Sequence, residues 1–180
     1  AVLDGARLDG CAMSQVTFDR CRAVGASFVG ASLLRCALLG CVLDRASFDR
    51  AELVQTSFLD SHAPGASFVE AHGKHAVFMR AGIDGADFDL ARLLGAHFAH
   101  ASAKRARFFG ANLQGAQMSR AILDGANFER ANLRDADLRK VRAHRTSFEK
   151  ACLFAANLLG AAGHNANFSG ANLTRAEIDP

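Results

Sequence analysis

The chain is a five-residue phrase repeated without a slip. Cut from Ala1, its 180 residues divide into 36 consecutive pentapeptides, and no insertion breaks the register. The first position of each is Ala in 27 cases. The exceptions are Cys11, Val16, Cys21, Cys36, Cys41, Thr56, Ser61, Val141 and Thr146, all of them small. The third position is Leu, Phe, Ile or Met in 30 units. Self-similarity at a fixed period decides the architecture before any local propensity does.

A five-residue period fits neither a helix at 3.6 residues per turn nor a flat strand at two. Positions one and three share a parity, so in an extended segment both point to one side. One small and one large apolar side chain per unit then face inward, and positions two, four and five face water. To restart the pattern the chain must bend after every unit. Position five holds 13 of the 16 glycines. A residue that accepts positive φ at the third place of a four-residue turn marks a type II turn, and Pro64-Gly65 supplies its preferred central pair.

The phenylalanines predict how many units close a coil. Twelve of the 14 occupy position three, all at numbers ending in 8. The series from Phe28 in steps of twenty to Phe168 lacks only its first member, Leu8, whereas the opposite series holds only Phe18, Phe58, Phe78 and Phe98. That inequality favours a period of twenty residues: four pentapeptides per coil, nine coils, and at roughly 4.8 Å per coil a rod on the order of 43 Å long.

The triplets Ala111-Asn112-Leu113, Ala126-Asn127-Phe128, Ala131-Asn132-Leu133, Ala136-Asp137-Leu138, Ala156-Asn157-Leu158, Ala166-Asn167-Phe168 and Ala171-Asn172-Leu173 resemble the pentapeptide-repeat family, whose motif is A(D/N)LXX. The resemblance covers all 180 residues. It implies an all-β fold, a right-handed quadrilateral parallel β-helix (solenoid) with four faces. It does not imply one activity, because a shared fold hosts many.

The unbroken repeat makes residues 1–180 a single solenoid domain. The chain starts with Ala, stays in register at both ends and shows no recognisable polar cap, so it is expected to be a segment of a longer protein. No run approaches 18 apolar residues, so no membrane span is expected, and no secretory signal is visible. Five cysteines are odd in number and badly spaced for a disulfide framework. Cys11, Cys21, Cys36 and Cys41 replace Ala at position one, and Cys21 and Cys41 should meet on adjacent coils. A redox pair or half a metal site is the sharper reading there. Small buried core residues is the reading we favour, because free Cys packs as a small hydrophobe. Cys152, at position two, is expected to be an exposed thiol. Together these fit a reducing, cytoplasmic location.

The net charge is +3. By face, named from the units starting at Ala1, Ala6, Cys11 and Val16, it resolves to +2, −2, +3 and zero. No face is a one-signed field, and only Phe109 and Phe154 stand outward, so no nucleic-acid partner is expected. Some pentapeptide-repeat proteins protect DNA gyrase from quinolones by mimicking the duplex, which requires a strongly acidic surface. This chain is mildly basic. It also lacks the loop insertions and the C-terminal dimerising helix of such members, and these departures weigh against DNA mimicry.

Seven histidines are the candidates for chemistry. His72 and His75 lie in one unit, His97 and His100 in another, and a two-His metal site from His75 and His97 is the sharp reading. Structural zinc takes four ligands, and nothing is spaced to complete the set, so solvent-exposed histidines are expected here. The same holds for His62, His144 and His164 on the first face. No nucleophile has a base at a readable spacing, no phosphate-binding glycine loop is present, and a filled rod offers no pocket. The chain is read as non-enzymatic, without cofactor or metal.

On the first face, position three alternates large and small: Leu3, Ala23, Leu43, Ala63, Ile83, Ala103, Leu123, Ala143. Relief of crowding opposite the Phe-bearing faces is the expected cause, and a ligand tunnel is the alternative. At position four, where most units carry polar residues, early coils carry Leu34, Val54 and Leu94 on the third face and Leu39, Leu59 and Met79 on the fourth. Stacked coils should align these into a contiguous apolar edge, which marks an interaction surface unless the turn shelters it. The expected function is therefore a rigid protein-interaction or spacer module of a larger bacterial-type protein. The Ala- and Phe-rich array looks like segments attached to adaptors of contractile secretion systems. The partner is expected to be a protein, with self-association through the end coils or the apolar edge as a second outcome. The alternative function is a topoisomerase-protecting resistance factor.

Overall fold

The computed structural model describes residues 1–179. Extended segments are short because the chain bends every five residues. β1 (Ala12–Ser14) and β2 (Thr17–Asp19) pair in parallel with β3 (Ser32–Leu34) and β4 (Ala37–Leu39), in the registers Ala12↔Ser32 and Thr17↔Ala37. Elsewhere the pairing reduces to single parallel bridges between position-two residues twenty apart, from Val2↔Arg22 to Asn157↔Glu177. Four ladders of such bridges run the length of the chain, so one coil is twenty residues, as the phenylalanines predict.

The backbone bonds repeat with the coil. The N–H of position three donates to the position-two carbonyl one coil on, as Leu43 does to His62 at 2.6 Å. Position five donates to position four, as Arg45 does to Pro64 at 3.0 Å, and position two donates back to position one, as Val42 does to Cys21 at 2.8 Å. Position one closes the bend onto position three of its own turn, as Ala46 does to Leu43 at 3.0 Å. Every position-five residue from Gly5 to Arg175 has positive φ, including 22 that are not glycine. Glycine therefore reports the turn but does not create it; the coil closure imposes the same left-handed residue on Arg, Lys, Gln and Leu alike.

Positions one and three are buried from the second coil to the eighth. Phe28, Phe48, Phe68, Phe88, Phe108, Phe128, Phe148 and Phe168 stack ring on ring at 4.6–5.2 Å. Phe58, Phe78 and Phe98 form a second stack at 4.8 Å, meeting the first edge-on at 5.2–5.8 Å. Both geometries are favoured aromatic arrangements. Ala23, Ala63, Ala103 and Ala143 lie buried in the same interior. Gly73 is as tightly held: a Cβ there would stand 2.8 Å from Leu93 Cδ2.

Buried hydroxyls at position one find partners by one rule. Ser61 and Thr146 donate at 2.7 Å to the carbonyls of Leu38 and Leu123, 23 residues back, and Thr56 donates likewise to Leu33. The thiols of Cys36 and Cys41 follow the same path, to Met13 and Phe18.

The N–H of position four has no place in the regular pattern. Two devices recur where it finds a carboxylate or amide acceptor. In the later coils Asn or Asp at position two turns back to accept it, as in Asn127 to Glu129 at 2.9 Å and Asp137 to Arg139 at 3.0 Å. Position two therefore does more than face water, and the polar letter of the repeat is an Asx turn. Elsewhere, mostly in the earlier coils, the acceptor is an Asp at position four of the preceding coil: Asp4 takes Val24, Asp9 takes Val29, Asp49 takes Val69 and Asp84 takes Lys104, at 2.9–3.1 Å.

Candidate partner-binding surface

Leu34 and Leu39 end β3 and β4, paired through the backbone with Ser14 and Asp19 of the coil before. The carbonyls of Leu34, Val54, Leu39, Leu59 and Met79 each accept the position-five N–H one coil earlier, at 2.8–3.2 Å. This holds Leu39, Leu59 and Met79 in one column and Leu34 and Val54 in another. All five side chains are half-buried. Position four is thus a sheltered ledge more than a free outer face. Leu94 is 37% exposed, standing after Lys74, which interrupts its column.

Two residues that the periodicity did not single out belong to the same surface. Around the coil, Ala37 and Val77 occupy position two of the fourth face, between the two columns, and both are half-buried. The available signal was apolar residues at the position where later units carry Asn or Asp. A polar row borders the strip: Arg80 donates to both Asp60 oxygens at 2.7 and 2.8 Å, and Arg35 donates to Gln55 at 3.0 Å. The Arg80 bond holds the Asp60 carboxyl below its ordinary range. The arrangement can bury further apolar area against a partner and orient it by charges at the rim.

The other candidates are placed as follows. Cys21 and Cys41 meet on adjacent coils, both buried, with the Cys21 thiol donating to the Cys41 sulfur at 3.1 Å and no disulfide between them. Burial first, and the hydrogen bond with Cys21 second, push the Cys41 thiol up to about 12, so it is protonated and unreactive at neutral pH. Cys11, in the first coil, is exposed rather than buried, and Cys152 is half-buried rather than exposed. His75 lies against the next coil, its Nδ1 3.4 Å from the Gly95 carbonyl, while His97 is bridged to Val77 and Gln117. Among the described residues no group of three or more His, Cys, Asp or Glu could hold a metal ion. Phe109 and Phe154 are half-buried and carry Arg130, and Arg134 with Arg175, over their rings.

A family model described as pentapeptide repeats matches the chain in eight copies, over residues 1–35, 26–58, 86–125 and 121–160. No curated protein matches it in sequence. Among solved structures, a trypsin-treated form of QnrB1, a plasmid-mediated fluoroquinolone resistance protein, is similar with a TM-score of 0.74 at 20% identity, over 93% of this chain and 92% of that one. A second trypsin-treated form gives 0.63 at 20% identity, over 94% and 90%. A pentapeptide repeat protein of the Arabidopsis thaliana thylakoid lumen gives 0.53 at 33% identity, over 54% of this chain and 68% of that one. The likenesses to QnrB1 are likenesses of fold.

Proposed function

We propose, starting from the fact that the chain belongs to the pentapeptide-repeat family, that it works as a rigid, non-enzymatic module that binds a protein partner or spaces the domains of a larger bacterial-type protein. Four bridge ladders at twenty-residue spacing support its finer architecture, a right-handed quadrilateral β-helix of nine coils. The observation that carries the functional reading is the strip formed by Leu34, Leu39, Val54, Leu59 and Met79, extended by Leu94, on a surface otherwise laced with ion pairs. Fully burying such side chains is worth about 1.5–3 kcal/mol each. They begin half-buried and association has ordering costs, so the strip suits a modest interface. A reducing cytoplasm suits the unpaired cysteines.

The test is partner capture by the full-length protein, wild type against Leu39→Asp with Leu59→Asp. Asp19, Ser119 and Arg139 occupy the same column, so polar side chains fit it. The double variant should keep its β spectrum and lose the partner or any self-association. A folded double variant with undiminished capture would place the interface elsewhere.

The fold shared with a fluoroquinolone resistance protein supports a second reading, protection of a topoisomerase. Mimicry of duplex DNA needs dense negative charge, and the +3 net charge opposes it. A gyrase supercoiling assay with a quinolone separates the two. Supercoiling restored at stoichiometric protein would displace the module reading.

A further inference from the structure

The corner between the first and second faces carries a different signal in the later coils. Position five reads Arg105, Gly125, Arg145 in three successive coils, all with positive φ. A side chain in that conformation leans over the coil that follows. The stem of Arg105 comes within 3.4 Å of where a Cβ on Gly125 would stand, as Arg45 does over Gly65 and Lys140 over Gly160. Arg105 therefore extends toward Arg145 across a residue that has no side chain. Arg145 has the same conformation and leans the same way, and with Cα atoms two coils apart separated by roughly 9.6 Å the two guanidinium side chains run along one row with room for an anion between them.

The space they border is an open trough of about 640 Å³, also lined by Lys104, Asp124 and His144. The one carboxylate in that lining is already committed. Asp124 takes Arg142 at 2.6 and 2.7 Å and the His144 N–H at 3.2 Å. Lys104 lies 3.7 Å from Asp84, and no carboxylate among the described residues pairs with Arg105 or Arg145. His144 accepts the His164 N–H on Nδ1 at 3.1 Å, which leaves Nε2 as the ring nitrogen able to donate. Coil stacking thus brings Lys104, Arg105 and Arg145 to one trough, with neither arginine paired to a carboxylate among the described residues. Guanidinium forks match phosphoryl oxygens in geometry and charge.

We propose that this trough binds a phosphate monoester, with Arg105, lying over Gly125, and Arg145, next in the same row, donating to the phosphoryl oxygens and Lys104 adding charge. The site is separate from the apolar strip, so either can fail alone. The test is calorimetric titration of the full chain with inorganic phosphate and with a phosphoserine peptide. Saturable one-to-one binding is expected, weakened about tenfold or more by Arg105→Gln with Arg145→Gln, the loss that goes with removing charge-assisted hydrogen bonds. Gln15 and Gln55 already hold this backbone conformation, so the double variant should stay folded. Arg120→Gln, on the neighbouring corner, should leave the affinity within about twofold. Comparable affinity for inorganic phosphate and the peptide assigns a free small molecule; markedly tighter peptide binding assigns a phosphorylated partner. Equal weakening by Arg120→Gln overturns the proposal in favour of diffuse charge. So does the absence of binding to both probes, including the case where a short DNA duplex still binds.

Discussion

Asp44 stands one coil before Pro64, and its Oδ2 is buried without a hydrogen-bond partner. Its counterparts Asp4, Asp84 and Asp124, on the same face, each accept the N–H of the residue twenty further on. Proline has no N–H to give.

Pro64→Val should therefore stabilise the chain. Val24 fills the equivalent place and donates to Asp4 at 2.9 Å. A hydrogen bond to a charged acceptor is worth about 1.5–3 kcal/mol, against about 0.4–1 for the lost stiffness of proline. A net gain of about 1 kcal/mol in urea melts is expected. A loss would mean that Asp44 is satisfied by solvent.

Phe88 is sandwiched by Phe68 at 4.6 Å and Phe108 at 4.9 Å. Phe88→Ala or Phe108→Ala should cost about 3–5 kcal/mol through lost burial and a cavity. Phe109→Ala, at half-buried position four, should cost about 1 kcal/mol. Equal losses at 108 and 109 in denaturant melts would contradict the inward and outward assignment.

The turn conformation predicts opposite effects for one methyl group. A Cβ on Gly85 meets nothing within 4 Å, but φ is +67. Gly85→Ala should then cost about 1 kcal/mol from backbone conformation alone. Ala155 sits at φ 55, and Ala155→Gly should gain about 0.5 kcal/mol after the added freedom of the unfolded chain is counted. Thermal melts of the two variants moving in the same direction would refute this.

Acid should weaken the surface network. The Arg139 bond to Asp137 holds that carboxyl below its ordinary value, with burial opposing and the Arg139 N–H assisting. Arg22 and Lys150 act likewise on Asp4 and Glu149. A carboxylate with a depressed folded pKa contributes stability above its unfolded pKa and loses it as pH falls through the folded one. Urea midpoints should be flat down to about pH 5 and drop below about pH 4. Asp137→Asn keeps an acceptor for the Arg139 N–H and loses the ion pair, so its drop should be smaller. An identical acid profile would remove Asp137 from the cause.

What the sequence by itself determined is the inside of this protein. Parity places Ala and Leu or Phe on one side of every unit, and the run Phe28, Phe48, Phe68 carries the length of a coil, because a stacked core must repeat with the coil. The turn place was legible too, though glycine marked only part of it. The tertiary structure decided what stands beside what on the outside. Whether Asp49 meets the N–H of Val69, whether Leu39 is half-buried, and whether Arg105 lies over Gly125 depend on contacts twenty residues apart. Outward side chains choose partners by the direction in which they lean along the axis. That direction follows from the left-handed residue at each bend and from the coil closing above it, neither of which is a property of one pentapeptide.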